Sequence, residues 1–312
     1  MRVYKLFWKR DDPPGKGLRP APLAHTPIAV FMPALDLRAW ASVSNEALRQ
    51  ILHRIDRPQP SHFTPLLLAG QRIGWLAPGH VQPLCKHLAY CKNHGQAVVW
   101  EAADLSVQAR SQLLAEAAQK LREQAHIHGW RDELYSYWGE IDRDPDPQLP
   151  ERFRLERSVF RFLGLRSHAV HINGFRPDGR IWCGIRALSK ATDPGRIDNL
   201  AAGGLPAGET VMACAIRELH EEAGLPESIA HQIQPAGRVL TRRQEKEGWH
   251  DETLLVYNLI LPEEVEPRNL DGEVSGFVCL DPNQAMQQIE QMTEDAAGVL
   301  AQGLLFLRAH AP

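Results

Sequence analysis

At 312 residues the chain exceeds the usual length of one domain, so length alone predicts two. A hydrophobic share of 44% and a charged share of 23% match ordinary globular usage and exclude wholesale disorder, while a formal net charge of -3 gives no bulk reason to bind nucleic acid, which clustered Lys and Arg would do. The five cysteines are odd in number and scattered, no apolar run is long enough for a membrane helix, and the charged start Met1-Arg2-Val3-Tyr4-Lys5 lacks a secretory signal, so a cytoplasmic protein with a small-molecule partner is expected.

In chain order, the proline-rich first forty residues predict extended, irregular backbone. Ser44 is an N-cap for a helix over 45–55, where Leu48, Ile51, Leu52 and Ile55 recur at helical spacing. Leu66–Leu68 and Arg72–Leu76 read as two strands around a tight connection, and a long helix follows from about Ser106 to His126. These elements predict a small α+β domain over 1–140. The prolines and charges of 141–150 predict a linker, and a second domain over 151–312. There, Ala169–Ile172 and Arg180–Ile185 around the turn at Arg176–Gly179 read as a hairpin; 237–240, 253–261 and 276–280 read as strands, and a final helix starts near Asn283.

Between these strands lies the segment that carries chemistry, from Gly203 to Leu225. Its middle is helical by composition, and Glu218, Glu221 and Glu222 share one face at i, i+3 and i+4. Three like charges at that spacing repel one another, and a hard divalent cation with oxygen ligands is the natural compensation. Gly203, Gly204 and Gly208 predict a tight loop before the helix, and Gly224 an αL residue ending it. Ile216, Leu219 and Ala223 supply an apolar stripe to dock the helix on a sheet, and Arg217 is placed to pair with a carboxylate such as Glu209.

Gly203, Glu209, Arg217, Glu218, Leu219, Glu221, Glu222, Gly224 and Leu225 together resemble the Nudix box at full spacing. The resemblance implies a Nudix α/β/α sandwich with a mixed sheet, and hydrolysis of a nucleoside-diphosphate-linked or related diphosphate compound with Mg2+, for which Mn2+ is a substitute. It implies metal ligation by Glu218, Glu222, Glu221 and the Gly203 carbonyl, with the general base somewhere in the cluster. It also implies a further acid on a later loop, for which Glu273 is the candidate. A narrower resemblance rests on Val170–Gly174, on Arg186–Asn199 before Ala201–Gly204, and on Trp130–Tyr135. These look like the Nudix subgroup related to thiamin metabolism, found alone or fused to thiamin pyrophosphokinase behind a domain of unknown function. That resemblance implies conversion of thiamin diphosphate, or oxidised forms of it, to the monophosphate. The competing readings are a hydrolase of another diphosphate and a catalytically silent binding module.

Four more residues are candidate substrate contacts. Arg186 and Lys190 supply positive charge for a terminal phosphate. Asp198 either faces a cationic ring or fixes its loop, and both readings stay open. Trp249 is the tryptophan expected to face the cleft. Cys85, His87, Cys91 and His94 form the other metal-like group; the last three would share a helix face, but paired short-range ligand motifs are missing, so a half-buried helix surface is expected.

Overall fold

A computed structural model describes residues 35–141 and 143–311. Most of the proline-rich start lies outside the described residues. Its last part is not extended: Leu37–Trp40 is a 3-10 helix, and the buried Trp40 indole donates to the Gly179 carbonyl at 2.8 Å. α1 is Asn45–Ile55, and the Ser44 hydroxyl accepts from the Ala47 N–H as its N-cap. A four-stranded sheet follows, from β1 (Thr64–Leu68), β2 (Gln71–Leu76), β3 (Cys91–Asn93) and β4 (Val98–Trp100), in the order β2-β1-β4-β3. α2 (Pro78–His87) and α3 (Val107–Glu123) pack on one another beside it. A two-stranded ribbon, β5 (Leu134–Tyr137) with β6 (Phe153–Glu156), leads into α4 (Arg157–Leu163).

The larger sheet is mixed and runs β11-β12-β7-β8-β13, with β10 on β7 and β9 on β8. Its strands are β7 (Arg166–Phe175), β8 (Ile181–Arg186), β9 (Ile197–Asp198), β10 (Ala201–Gly204), β11 (Gln234–Glu245), β12 (Gly248–Ile260) and β13 (Val274–Leu280). β7 and β12 are parallel and the other pairs antiparallel. Strand alternation separates two cores. Val170, Ile172, Leu255 and Tyr257 bury α5 (Val211–Ala223), which short α6 (Glu227–Ala230) follows, while Ala169, Leu254 and Val256 meet Val299 on the other side.

Val299 belongs to α8 (Glu294–Ala309), which follows α7 (Pro282–Gln287). α8 lies on β11, β12 and β7, and α1 packs along it. The sheet is thus held between helices, an α/β/α sandwich. The single final helix expected from the sequence is two: Asp281 caps α7 with a capping box and Thr293 caps α8, so each N-terminus satisfies its own free N–H groups. Within the segment 141–150, Ile141 and Leu149 pack against the α5 core, and Asp144 pairs with Arg238. All described residues fall in one compact unit. Among them no helix is long and apolar enough to cross a membrane.

Candidate active site

The α5 helix presents its glutamates as the spacing requires, with its two sides doing different work. Leu219, Ala223, Cys214 and Ala215 are fully buried against the sheet, with Ile216 partly buried beside them. Thr210 caps its start, and Gly224, at φ 64°, closes its end in the αL region. Two glycines before the helix are dictated by close approach rather than by turning. A Cβ on Gly203 would fall inside the Glu218 carboxylate, and one on Gly204 inside the Tyr135 hydroxyl. The first contact seats a glutamate on the loop backbone. The second seats β5 against the same loop, where the Ala207 N–H also donates to the Leu134 carbonyl at 2.7 Å.

Arg217 holds this arrangement together. Its guanidinium binds both oxygens of Glu209 at 3.0 and 2.9 Å, Glu218 at 2.7 Å and Glu221 at 3.0 Å. The expected pairing with Glu209 is present, as a bidentate fork. The three glutamates are not equivalent. Glu218 and Glu222 are buried, whereas the Glu221 side chain is 44% exposed at the mouth. Glu222 accepts from the Ala202 N–H at 2.9 Å. Burial pushes the Glu222 carboxyl up to about 8 against that hydrogen bond, and the Glu218 carboxyl up to about 7 against the opposing pull of Arg217.

The loop before β13 reaches the same point. Carboxylate oxygens of Glu222, Asp271 and Glu273 lie within 4.8 Å of one another. Glu273, predicted from its place in the chain, is therefore beside the helix cluster; Asp271 was not singled out, because loop acids carry no periodicity to mark them. Burial alone would raise the Glu273 carboxyl, but the hydrogen bond and charge of Lys190 hold it below the usual range. This donor set suits a hard divalent cation. The surrounding cavity, about 530 Å³, gives a second reason: its lining carries eleven carboxylates against seven guanidinium and ammonium groups, an excess of acids that favours a bound cation.

Of the predicted substrate contacts, Arg186, Lys190 and Asp198 line the cavity and Trp249 does not. Arg186 donates to Asp198 at 2.6 Å and to the Thr192 carbonyl at 2.8 and 3.1 Å, so this pair fixes the 187–196 loop. Lys190 is paired with Glu273. Both cations are already matched by carboxylates. Trp249 corrects the expectation: it is 1% exposed and packs edge-on against Phe63, so its ring offers no face to a ligand. The Cys–His group is corrected too, since α2 ends at His87 and Cys91 begins β3, leaving no common helix face.

Sequence reading missed the other end of the cavity. It extends from β10 across Ser167, Ala169 and His171 on β7 to His250 and Glu252 on β12, with Arg243 on β11 and Asp295 on the first turn of α8. Arg243, which is buried, binds the half-buried Asp295 at 2.9 and 3.3 Å, and the guanidinium holds the Asp295 carboxyl well below the usual range despite the opposing penalty of burial. Part of the cavity wall comes from residues before β7: Arg131, Glu133, Tyr135, Arg157 and Arg161. Glu156 fixes that wall by accepting from the N–H groups of Arg131 and Glu133 at 2.9 and 3.0 Å. No periodicity links these residues, so only the fold reveals them.

Comparison with known proteins fits this geometry. The profile of the NUDIX domain matches residues 165–303, and that of a domain of unknown function, DUF4743, matches residues 47–167. The chain is 28% identical over 250 residues to Nudix hydrolase 24, chloroplastic, of Arabidopsis thaliana, covering 77% of this chain and 67% of the relative. It is 34% identical over 185 residues to Nudix hydrolase 20, chloroplastic, of the same plant, covering 58% and 48%. An uncharacterized protein of Saccharomyces cerevisiae is 29% identical over 188 residues, covering 54% and 53%. The chain thus spans about half the length of two of these relatives and two thirds of the other.

Proposed function

We propose that this chain, which carries a match to the NUDIX domain over residues 165–303 and is similar to two plant Nudix hydrolases, cleaves the diphosphate linkage of a small molecule with Mg2+, and that thiamin diphosphate or its oxidised analogues, yielding the monophosphate, are its substrates. The observation that carries the reading is the meeting of buried Glu222 with Asp271 and Glu273 beside Glu218 and Gly203, at a cavity lined by more acids than bases. Glu218, Glu222 and this loop would hold a divalent ion, which would supply positive charge for phosphate oxygens and lower the pKa of a bound water.

The remaining work belongs to the chain. Arg217 keeps Glu218 and Glu221 in place through four hydrogen bonds, two of them to Glu209. A carboxylate of the cluster that is not engaged by the ion, such as the half-exposed Glu221, would take the proton of the attacking water. Lys190, held beside Glu273, sits where a phosphate oxygen can exchange for its carboxylate partner. The narrower substrate is supported by the resemblance around Arg186–Asn199 and Trp130–Tyr135, and by a volume that leaves room for an organic group beyond the phosphates.

The test is a panel of thiamin diphosphate, oxythiamin diphosphate, ADP-ribose and coenzyme A, with products read by phosphorus NMR. Magnesium-dependent formation of thiamin or oxythiamin monophosphate with the highest kcat/KM supports the proposal. Preference for ADP-ribose or coenzyme A by tenfold or more overturns the substrate assignment, and turnover of none overturns the activity.

A further inference from the structure

His250 is the one lining residue of the cavity whose side chain is both fully buried and left with a free ring nitrogen among the described residues. Its Nδ1 accepts from Arg161 Nε at 3.3 Å, so the neutral ring carries its proton on Nε2. That Nε2 has no hydrogen-bond partner and stands 3.6 Å from Glu252 Oε2. Glu252 in turn accepts from Ser167 Oγ at 2.7 Å through its other oxygen. Burial keeps the imidazole neutral, holding its pKa well below the usual value, with the charges of Arg243 and Arg161 adding to the effect. A buried N–H without a partner costs free energy of the order of 1–3 kcal/mol, so it is expected to be used.

With Asp295, these two residues have the spacing of a metal site, but their partners argue otherwise. A cation on Nε2 would need the proton on Nδ1, where Arg161 already donates. Asp295 is clamped by both terminal nitrogens of Arg243. What remains is one donor, His250 Nε2–H, beside one acceptor, Glu252 Oε2. His250 and Glu252 stand on β12, two strand spacings of about 5 Å from β10, where Gly203 begins the glutamate end. A molecule with its diphosphate over β10 reaches them only with a further group attached.

We propose that His250 and Glu252 recognise the organic half of the substrate by reading the edge of a heteroaromatic ring that presents a hydrogen-bond acceptor beside an amino or ring N–H donor. Both the amidine edge of an aminopyrimidine or adenine and the amide edge of its oxo counterpart meet this pattern, with the two partners exchanged. Arg161 acts as a positioning residue that fixes the tautomer of His250, and it lies within the stretch matched by the domain of unknown function. That gives the N-terminal region a share in specificity. The proposal rests on the hydrolase reading above.

Steady-state kinetics of the full chain with Mg2+, on thiamin diphosphate and on methyl diphosphate, tests it. In Glu252→Gln the ratio of kcat/KM for the two substrates should fall at least tenfold, through KM for thiamin diphosphate, and in Arg161→Leu about threefold or more. If Glu252→Gln does not fold, Arg161→Leu decides alone. An unchanged ratio overturns the proposal. Should the wild-type chain hydrolyse neither compound, the hydrolase reading fails instead, and calorimetric binding of thiamin monophosphate judges the subsite: at least tenfold weakening in Glu252→Gln, measured against inorganic phosphate, supports it, and equal affinities overturn it.

Discussion

At one end of the cavity the acids come from two turns of α5 and one short loop, and they crowd like charges together; at the other, Arg243, His250, Glu252 and Asp295 come from two strands and a helix and are largely matched to one another. The glutamate end raises the pKa of its own groups, Glu218 to about 7 and Glu222 to about 8, because the penalty of burial outweighs the pull of Arg217 on Glu218 and of the Ala202 N–H on Glu222. The far end holds Asp295 low, because Arg243 offsets the same penalty. One end is therefore built to receive positive charge, and the other pairs its buried cation internally and offers hydrogen bonds.

The sharpest way to break this contrast is Glu222→Gln. It removes one buried carboxyl and keeps the shape, so kcat should fall about 10²–10³-fold, the range seen when a charge-stabilising group is removed, with the thermal unfolding temperature unchanged or raised. An equal loss of stability would mean that the glutamate end is structural. Asp295→Asn probes the opposite end. It leaves the buried Arg243 guanidinium with Glu245 as its remaining carboxylate partner, and urea unfolding should show a loss of about 1–3 kcal/mol. Gly204→Ala forces Tyr135 away from the loop, and a stability loss of about 1–3 kcal/mol with a weaker response to Mg2+ is expected from thermal unfolding.

A smaller effect separates the two ends by pH. Free carboxyls ionise near 4.5, the ion-free folded protein keeps protons on Glu218 and Glu222 up to about 7 and 8, and so it loses stability as pH rises between these values. An ion replaces those protons. The rise in unfolding temperature caused by saturating Mg2+ should therefore be larger at pH 8.5 than at pH 6, and equal shifts would contradict the assignment.

How far the sequence reached follows the same division. α1 was legible because Ser44 and four apolar residues mark it locally, and α5 because its charges, apolar stripe and terminal glycine all lie within one helix. The β11–β12 hairpin was read short. Its segment 241–252 carries Arg243, His250 and Glu252, polar residues that face the cavity and so hide the alternation that marks a strand. Trp249 misled for the complementary reason: a tryptophan next to a functional strand points to alternate faces with its neighbours, and here it took the buried one. The wall from Arg131 to Arg161 depends on contacts between residues far apart in sequence, which no local pattern records.

The account stands on α5 and the 271–273 loop gathering a dication, and Mn2+ binding followed by electron paramagnetic resonance at pH 8 tests that directly. The wild-type chain should deplete the free Mn2+ signal at micromolar to submillimolar concentrations, and Glu222→Gln should bind at least tenfold more weakly. Equal binding by the two proteins, or none by the wild type, would contradict it.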